Sequence, residues 1–245
     1  MTGVQTCALP ISNVTRIVAE ESEGNVLAGT GHPGFRETLR QTELAAEAGA
    51  DAALVVTPFY HKHGQDRLAA YYREVADESP IPIYLYSVPK YTDTRLEPRT
   101  VETLATHENV AGMKDSSGDL GALQRIANVT ADADFDLLVG SGSIYAAGLQ
   151  VGASGGVLAL ANVAPEGASE IHRRYVEGDV AGALARNREL VELNYAVTGE
   201  YGVPGLKAAM KERGLPAGQP RKPLRPVDAD VETELAALVE NANLE

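Results

Sequence analysis

From Asn25 onward, short apolar and β-branched runs alternate with longer stretches in which apolar residues recur at spacings of three and four. The first kind of segment reads as a strand and the second as an amphipathic helix, and their alternation is the signature of βα units on a parallel sheet. Strands are predicted over residues 26–29, 52–56, 83–86, 110–114, 137–140 and 156–159. Helices are predicted over 36–48, 65–77, 98–106, 119–128 and 143–151. Gly49, Gly64, Gly118 and Gly152 fall at segment ends, where left-handed caps or turns are expected. Beyond the sixth strand the pattern turns wholly helical, over 165–177, 180–197, 205–213 and 230–241, with a Pro-rich linker over 216–226 before the final helix.

A closed barrel of this kind needs eight strands. Six strands with one partial helix before them lead to the expectation of a (β/α)8 TIM barrel lacking its first two βα units, a segment of roughly 60 residues. On this reading residues 12–177 form the partial barrel and 178–245 a C-terminal helical region. The opening Met1-Thr2-Gly3-Val4-Gln5-Thr6-Cys7-Ala8-Leu9-Pro10-Ile11 fits nothing that follows, and Val4 to Ile11 resembles a translated sequencing adapter, so 1–11 is expected to be foreign. An open doubly wound sheet is the alternative architecture, but no Gly-x-Gly-x-x-Gly marks a first strand-to-helix turn.

Composition narrows the function classes. With 34 acidic against 21 basic side chains the net charge is −13, which repels nucleic acid and anionic membranes. The single cysteine, Cys7, excludes an intramolecular disulfide framework. No apolar run approaches a membrane span and no secretory signal is evident, so a cytoplasmic protein is expected.

Barrel enzymes carry reactive groups at the C-terminal ends of strands. The run Val110-Ala111-Gly112-Met113 ends in Lys114. An amine entering a barrel mouth behind apolar residues is desolvated and becomes nucleophilic, although a strand-end lysine is more commonly just solvated. The run Ile83-Tyr84-Leu85-Tyr86 ends in a phenol, which reads either as a proton shuttle beside an amine or as a core aromatic with its hydroxyl satisfied. His61 and His63 flank Lys62 in a pattern that can ligate metal, but a central cation and the lack of clustered partners oppose it, and no metal or cofactor is expected. Asp115 and Asp119 are expected beside the amine, more as caps for the following helix than as catalytic acids.

Several motifs in order carry a resemblance. They are Thr57-Pro58-Phe59-Tyr60, Tyr86-Ser87-Val88-Pro89, Gly112-Met113-Lys114-Asp115-Ser116-Ser117-Gly118-Asp119, Gly140-Ser141-Gly142, Ala161-Asn162-Val163-Ala164-Pro165 and Gly202-Val203-Pro204-Gly205-Leu206-Lys207. From Ser12 onward the chain resembles the dihydrodipicolinate synthase and N-acetylneuraminate lyase family of Schiff-base aldolases. The resemblance implies that Lys114 forms the Schiff base with a 2-oxo acid, that Tyr86 relays protons, and that Tyr60 reaches into a neighbouring subunit's site, so a homo-oligomer is expected. It also implies a substrate contact from the Val157 carbonyl. Ser87, Tyr91, Gly140 and Ser141 are further candidate substrate contacts; Gly140, Gly142, Gly155 and Gly156 flank the last two strands, where barrels often hold phosphate, although tight turns explain them equally well. The family's Gly-Thr-Thr-Gly-Glu carboxylate loop has no counterpart, since Gly29-Thr30-Gly31 matches the end of a later strand.

Within the family, the synthase branch carries an Arg shortly after the Val-Pro turn, where this sequence has Tyr91. The wording around Tyr86 and Lys114, and the ending Tyr201-Gly202-Val203-Pro204-Gly205-Leu206, is most similar to 4-hydroxy-2-oxoglutarate aldolases, with aldolases for 2-keto-3-deoxygluconate or its phosphate close by. A 4-hydroxy-tetrahydrodipicolinate synthase and a noncatalytic sensor on the same fold are the alternatives. Lys90 and Arg95 read either as contacts for an acidic substrate or as solvated loop residues.

Overall fold

The computed structural model describes residues 11–244. The foreign-looking opening, Cys7 included, lies outside the described residues apart from the backbone of Ile11. In chain order the elements are α1 (Ile11–Glu21), β1 (Leu27–Gly29), α2 (Phe35–Glu47), β2 (Ala52–Val56), α3 (Gln65–Glu78), β3 (Ile83–Ser87), α4 (Pro89–Thr92), α5 (Pro98–Leu104), β4 (Val110–Asp115) and α6 (Leu120–Val129). There follow β5 (Asp136–Val139), α7 (Tyr145–Gln150), β6 (Gly155–Gly156), α8 (Pro165–Val176), α9 (Val180–Glu189), α10 (Val191–Tyr195), α11 (Gly202–Glu212) and α12 (Ala229–Asn241). The six strands join one sheet in the order β1-β2-β3-β4-β5-β6, and the pairs from β1 to β4 are parallel. No helix among the described residues is long and apolar enough to cross a membrane.

Two compact units divide the chain. One runs through Leu138 and includes Val151–Ser154; the other comprises Val139–Gln150 and the residues from Gly155 onward. In the first, strand alternation separates two kinds of surface. Ala53, Val55, Ile83, Leu85 and Met113 are fully buried. Tyr72 of α3 seals this side, buried itself and donating its hydroxyl to the Val55 carbonyl at 3.0 Å. The opposite side presents Leu54, Val56, Tyr84, Tyr86 and Lys114, all partly exposed. Asp119 caps α6, its carboxylate accepting from the Ala122 amide at 3.0 Å, as a helix start at that position requires.

The second unit is mostly helical. Arg213, the residue after α11, ties it together by donating to the Val163 carbonyl at 2.7 Å and pairing with Glu166 of α8 at 2.8 Å. Buried Arg186 of α9 pairs with Glu170 and Glu189 and donates to the Ala242 carbonyl.

Several expectations are corrected. The sixth strand is only Gly155–Gly156, and Ala159–Asn162 winds into a 3-10 turn instead of continuing it. The helix expected over 143–151 is a 3-10 turn, Gly142–Ile144, followed by the short α7. The single helix expected over 180–197 is broken at Leu190 and runs on into a π turn, Ala196–Glu200, closed by the Tyr201 amide on the Ala196 carbonyl at 2.9 Å. The short α4 was not expected; Pro89 at its first turn suits a helix start. Gly49, Gly118 and Gly152 take the expected positive φ, whereas Gly64 has φ −71 and precedes α3 in extended conformation.

Candidate active site

The centre of the site is a cross-strand pair. In the β3–β4 ladder Tyr86 stands opposite Lys114, and in the β2–β3 ladder Val56 stands opposite Tyr86. Residues in register on adjacent strands share a face, so these three side chains line up near the C-terminal ends of their strands. The Lys114 ammonium lies 4.3 Å from the centre of the Tyr86 ring.

An irregularity in β4 sets this alignment. Ile83 pairs with Val110, but the next residue, Tyr84, pairs with Gly112, so Ala111 is an extra residue in the strand. Such a bulge reverses the in-and-out order of everything after it. Gly112 is required at the next position because the Tyr84 ring and the Asp136 carbonyl occupy the space a Cβ would fill. Tyr84 in turn donates its hydroxyl to Asp136 at 2.7 Å.

Burial lowers the Lys114 pKa from 10.5 to about 8. The shift corresponds to about 3 kcal/mol against the charged form. A cation–π contact favours the charged form by about 0.5–2 kcal/mol, so desolvation wins over the Tyr86 ring. Near neutral pH the free amine is enriched roughly 300-fold over an ordinary lysine. Burial also raises the Tyr86 phenol, and the Ser116 side chain opposes the rise.

Asp115 follows Lys114 and points to the other side of the sheet, where it is buried opposite Ser87. One of its oxygens accepts from the Ser117 amide at 2.9 Å and from the Ser117 hydroxyl; the other is buried without a partner among the described residues. Burial raises this carboxyl, and the Ser117 hydrogen bonds oppose the rise. Asp119 goes to the helix cap and to Arg95 at 2.8 Å, which together lower its pKa. Neither carboxylate is brought to the amine.

The remaining predicted residues are dispersed. Ser87 is fully buried on the side away from Tyr86, its hydroxyl accepting from the Leu96 amide at 3.4 Å. Tyr91 on α4 is 72% exposed, with the Lys90 ammonium 5.6 Å from its ring centre. Tyr60, after β2, is 90% exposed, has φ 82 and packs edge-on against the His61 ring. A non-glycine residue held at positive φ carries a backbone cost of about 1–3 kcal/mol. In the second unit Gly140 and Ser141 follow β5 directly, and Val157 follows β6, donating its amide to the Val139 carbonyl at 2.9 Å. Sequence reasoning missed Ser116, whose signal was its place two residues after the lysine in a polar turn.

The model of the dihydrodipicolinate synthetase family matches residues 11–242. A 4-hydroxy-tetrahydrodipicolinate synthase of Methanothrix thermoacetophila is 37% identical over 222 residues, 91% of this chain and 75% of that protein. An uncharacterized DapA-like lyase of Halobacterium salinarum is 40% identical over 225 residues, 91% of this chain and 73% of that protein. Among solved structures, YagE, a prophage protein of the dihydrodipicolinic acid synthase family from E. coli K12 in complex with pyruvate, superposes with a TM-score of 0.88 at 27% identity, covering 96% of this chain and 81% of its own. The chain belongs to the dihydrodipicolinate synthetase family and is an enzyme of the carbon–carbon lyase class.

Proposed function

We propose that the chain is a pyruvate-dependent class I lyase that cleaves a 4-hydroxy-2-oxo acid, of the 4-hydroxy-2-oxoglutarate or 2-keto-3-deoxygluconate and phosphogluconate type, through a Schiff base at Lys114. The observation that carries this reading is a strand-end amine lowered to about 8 and facing Tyr86. In the reaction the amine adds to the C2 carbonyl and water leaves, giving a protonated imine. A base removes the C4 hydroxyl proton as the C3–C4 bond breaks, and the electron pair moves into the imine to form an enamine and release an aldehyde. Protonation at C3 and hydrolysis of the imine release pyruvate and restore the amine. Tyr86, whose ring lies beside the amine, relays the protons.

Tyr60, exposed and held at positive φ, is the arm that enters a second subunit's site in a homo-oligomer. The Val157 carbonyl, Gly140, Ser141 and Tyr91 contact the substrate on this reading. The buried hydroxyl of Ser87 instead serves the loop before α5, through Leu96.

A second reading, 4-hydroxy-tetrahydrodipicolinate synthase, is favoured by the name of the Methanothrix relative. Tyr91 in place of an arginine after the Val-Pro turn weighs against it. Borohydride reduction in the presence of pyruvate, followed by peptide mapping, tests the shared chemistry: label is expected on Lys114 and absent from Lys114→Ala. An unlabelled, folded chain would replace the lyase with a noncatalytic sensor. Cleavage of 4-hydroxy-2-oxoglutarate outpacing condensation of pyruvate with aspartate semialdehyde is the expected result between the two enzymes.

A further inference from the structure

The turn after β5 is held by side chains from far along the chain. Asn187 of α9 is buried and bridges it: its amide nitrogen donates to the Gly142 carbonyl and its oxygen accepts from the Ala146 amide, both at 2.8 Å. Asn194 of α10 is buried beside it and donates to the Ser143 hydroxyl at 2.8 Å. Its oxygen, with no hydrogen-bond partner among the described residues, lies against Gly142 so closely that a Cβ there would collide with it. The backbone around Asn194 is itself fixed, because Thr198 in the π turn donates its hydroxyl to the Asn194 carbonyl at 2.6 Å. π turns inside helical segments are frequently found at functional sites.

A buried asparagine that spends both ends of its amide on one turn fixes the separation of the two backbone groups it joins. Gly142 and Ala146 bracket the 3-10 turn and the first residue of α7. Gly140 and Ser141 enter directly on that turn. We infer that Asn187 and Asn194 are positioning residues: the helices after the last strand set the conformation of Gly140 and Ser141, and thereby the enzyme's grip on its 2-oxo acid. The inference rests on the proposed substrate contacts of those two residues.

Two variants test it, Asn187→Ala and the milder Ser143→Ala, which removes only the partner of Asn194. Steady-state kinetics with 4-hydroxy-2-oxoglutarate and amide hydrogen exchange over residues 140–150 are measured on both. Asn187→Ala removes both hydrogen bonds to the turn and is expected to raise KM about tenfold, with kcat within about threefold. Ser143→Ala is expected to raise it by about twofold to threefold. In Asn187→Ala, exchange at Ala146 is expected to speed up at least about tenfold while residues 110–118 keep their protection. Unchanged KM despite faster exchange would make the asparagines merely structural and overturn the inference. If the unsubstituted chain neither turns over nor labels at Lys114, the lyase reading fails separately, and unchanged exchange in Asn187→Ala would then sink the clamp on its own.

Discussion

The two faces of the sheet in the first unit are built from the same strands and do opposite work. On one, Ala53, Val55, Ile83, Leu85 and Met113 are excluded from solvent, with buried Ser87 and Asp115 at the strand ends. On the other, Leu54, Val56, Tyr84, Tyr86 and Lys114 remain partly exposed and include both proposed catalytic side chains of β3 and β4. Met113 and Lys114 are adjacent in sequence, yet one anchors the fold and the other is left to react. On the open face burial alone lowers the amine beside the phenol, with no partner charge among the described residues to oppose it.

The sharpest way to separate the roles is Tyr86→Phe. This change keeps the ring beneath the amine and removes the hydroxyl, so turnover is expected to fall by about 10²–10⁴-fold. Labelling of Lys114 and its pKa near 8 should persist. Equal loss of labelling and turnover would mean that the hydroxyl is needed to form the imine and not only to relay protons in cleavage.

Met113→Ala probes the closed face and should cost about 2–5 kcal/mol of stability, read as a lower denaturation midpoint. The folded fraction is expected to label at Lys114 as before. A variant of unchanged stability would show that the closed face is not the support assigned to it.

The smallest effect is the pH dependence of labelling. Because burial lowers the lysine pKa, the reactive free amine accumulates as pH rises toward about 8. The labelling rate at low pyruvate is therefore expected to climb close to tenfold per unit between about pH 6 and 7.5, then level off above 8. A rate still climbing at pH 10 would place the amine in water.

Local pattern read much of this fold correctly where one element's own residues decide it. The strand at Ala52–Val56 and the capping of α6 by Asp119 both follow from residue types and spacing. Elements shaped by distant partners were not legible in the same way. The helical periodicity over 180–197 gives no sign of the break at Leu190, the π turn, or the use of Asn187 and Asn194 to hold a turn more than 40 residues earlier. Polar residues in a helix read simply as its solvated face until the turn they bind is seen.

Sequence alone determined that the chain alternates strands and helices, that Tyr86 and Lys114 stand near the ends of two successive strands, each of which runs one residue further than predicted, and that the family motifs surround them. It left open which side of the sheet the lysine occupies. Counted by strict alternation from the buried Val110, Lys114 falls on the helix-covered side, because positions 110, 112 and 114 share one face of a regular strand. The tertiary structure reverses this. The extra residue at Ala111 is accommodated only because β3 supplies the register on one side and Gly112 makes room for Tyr84, and one inserted residue moves every later side chain to the opposite face.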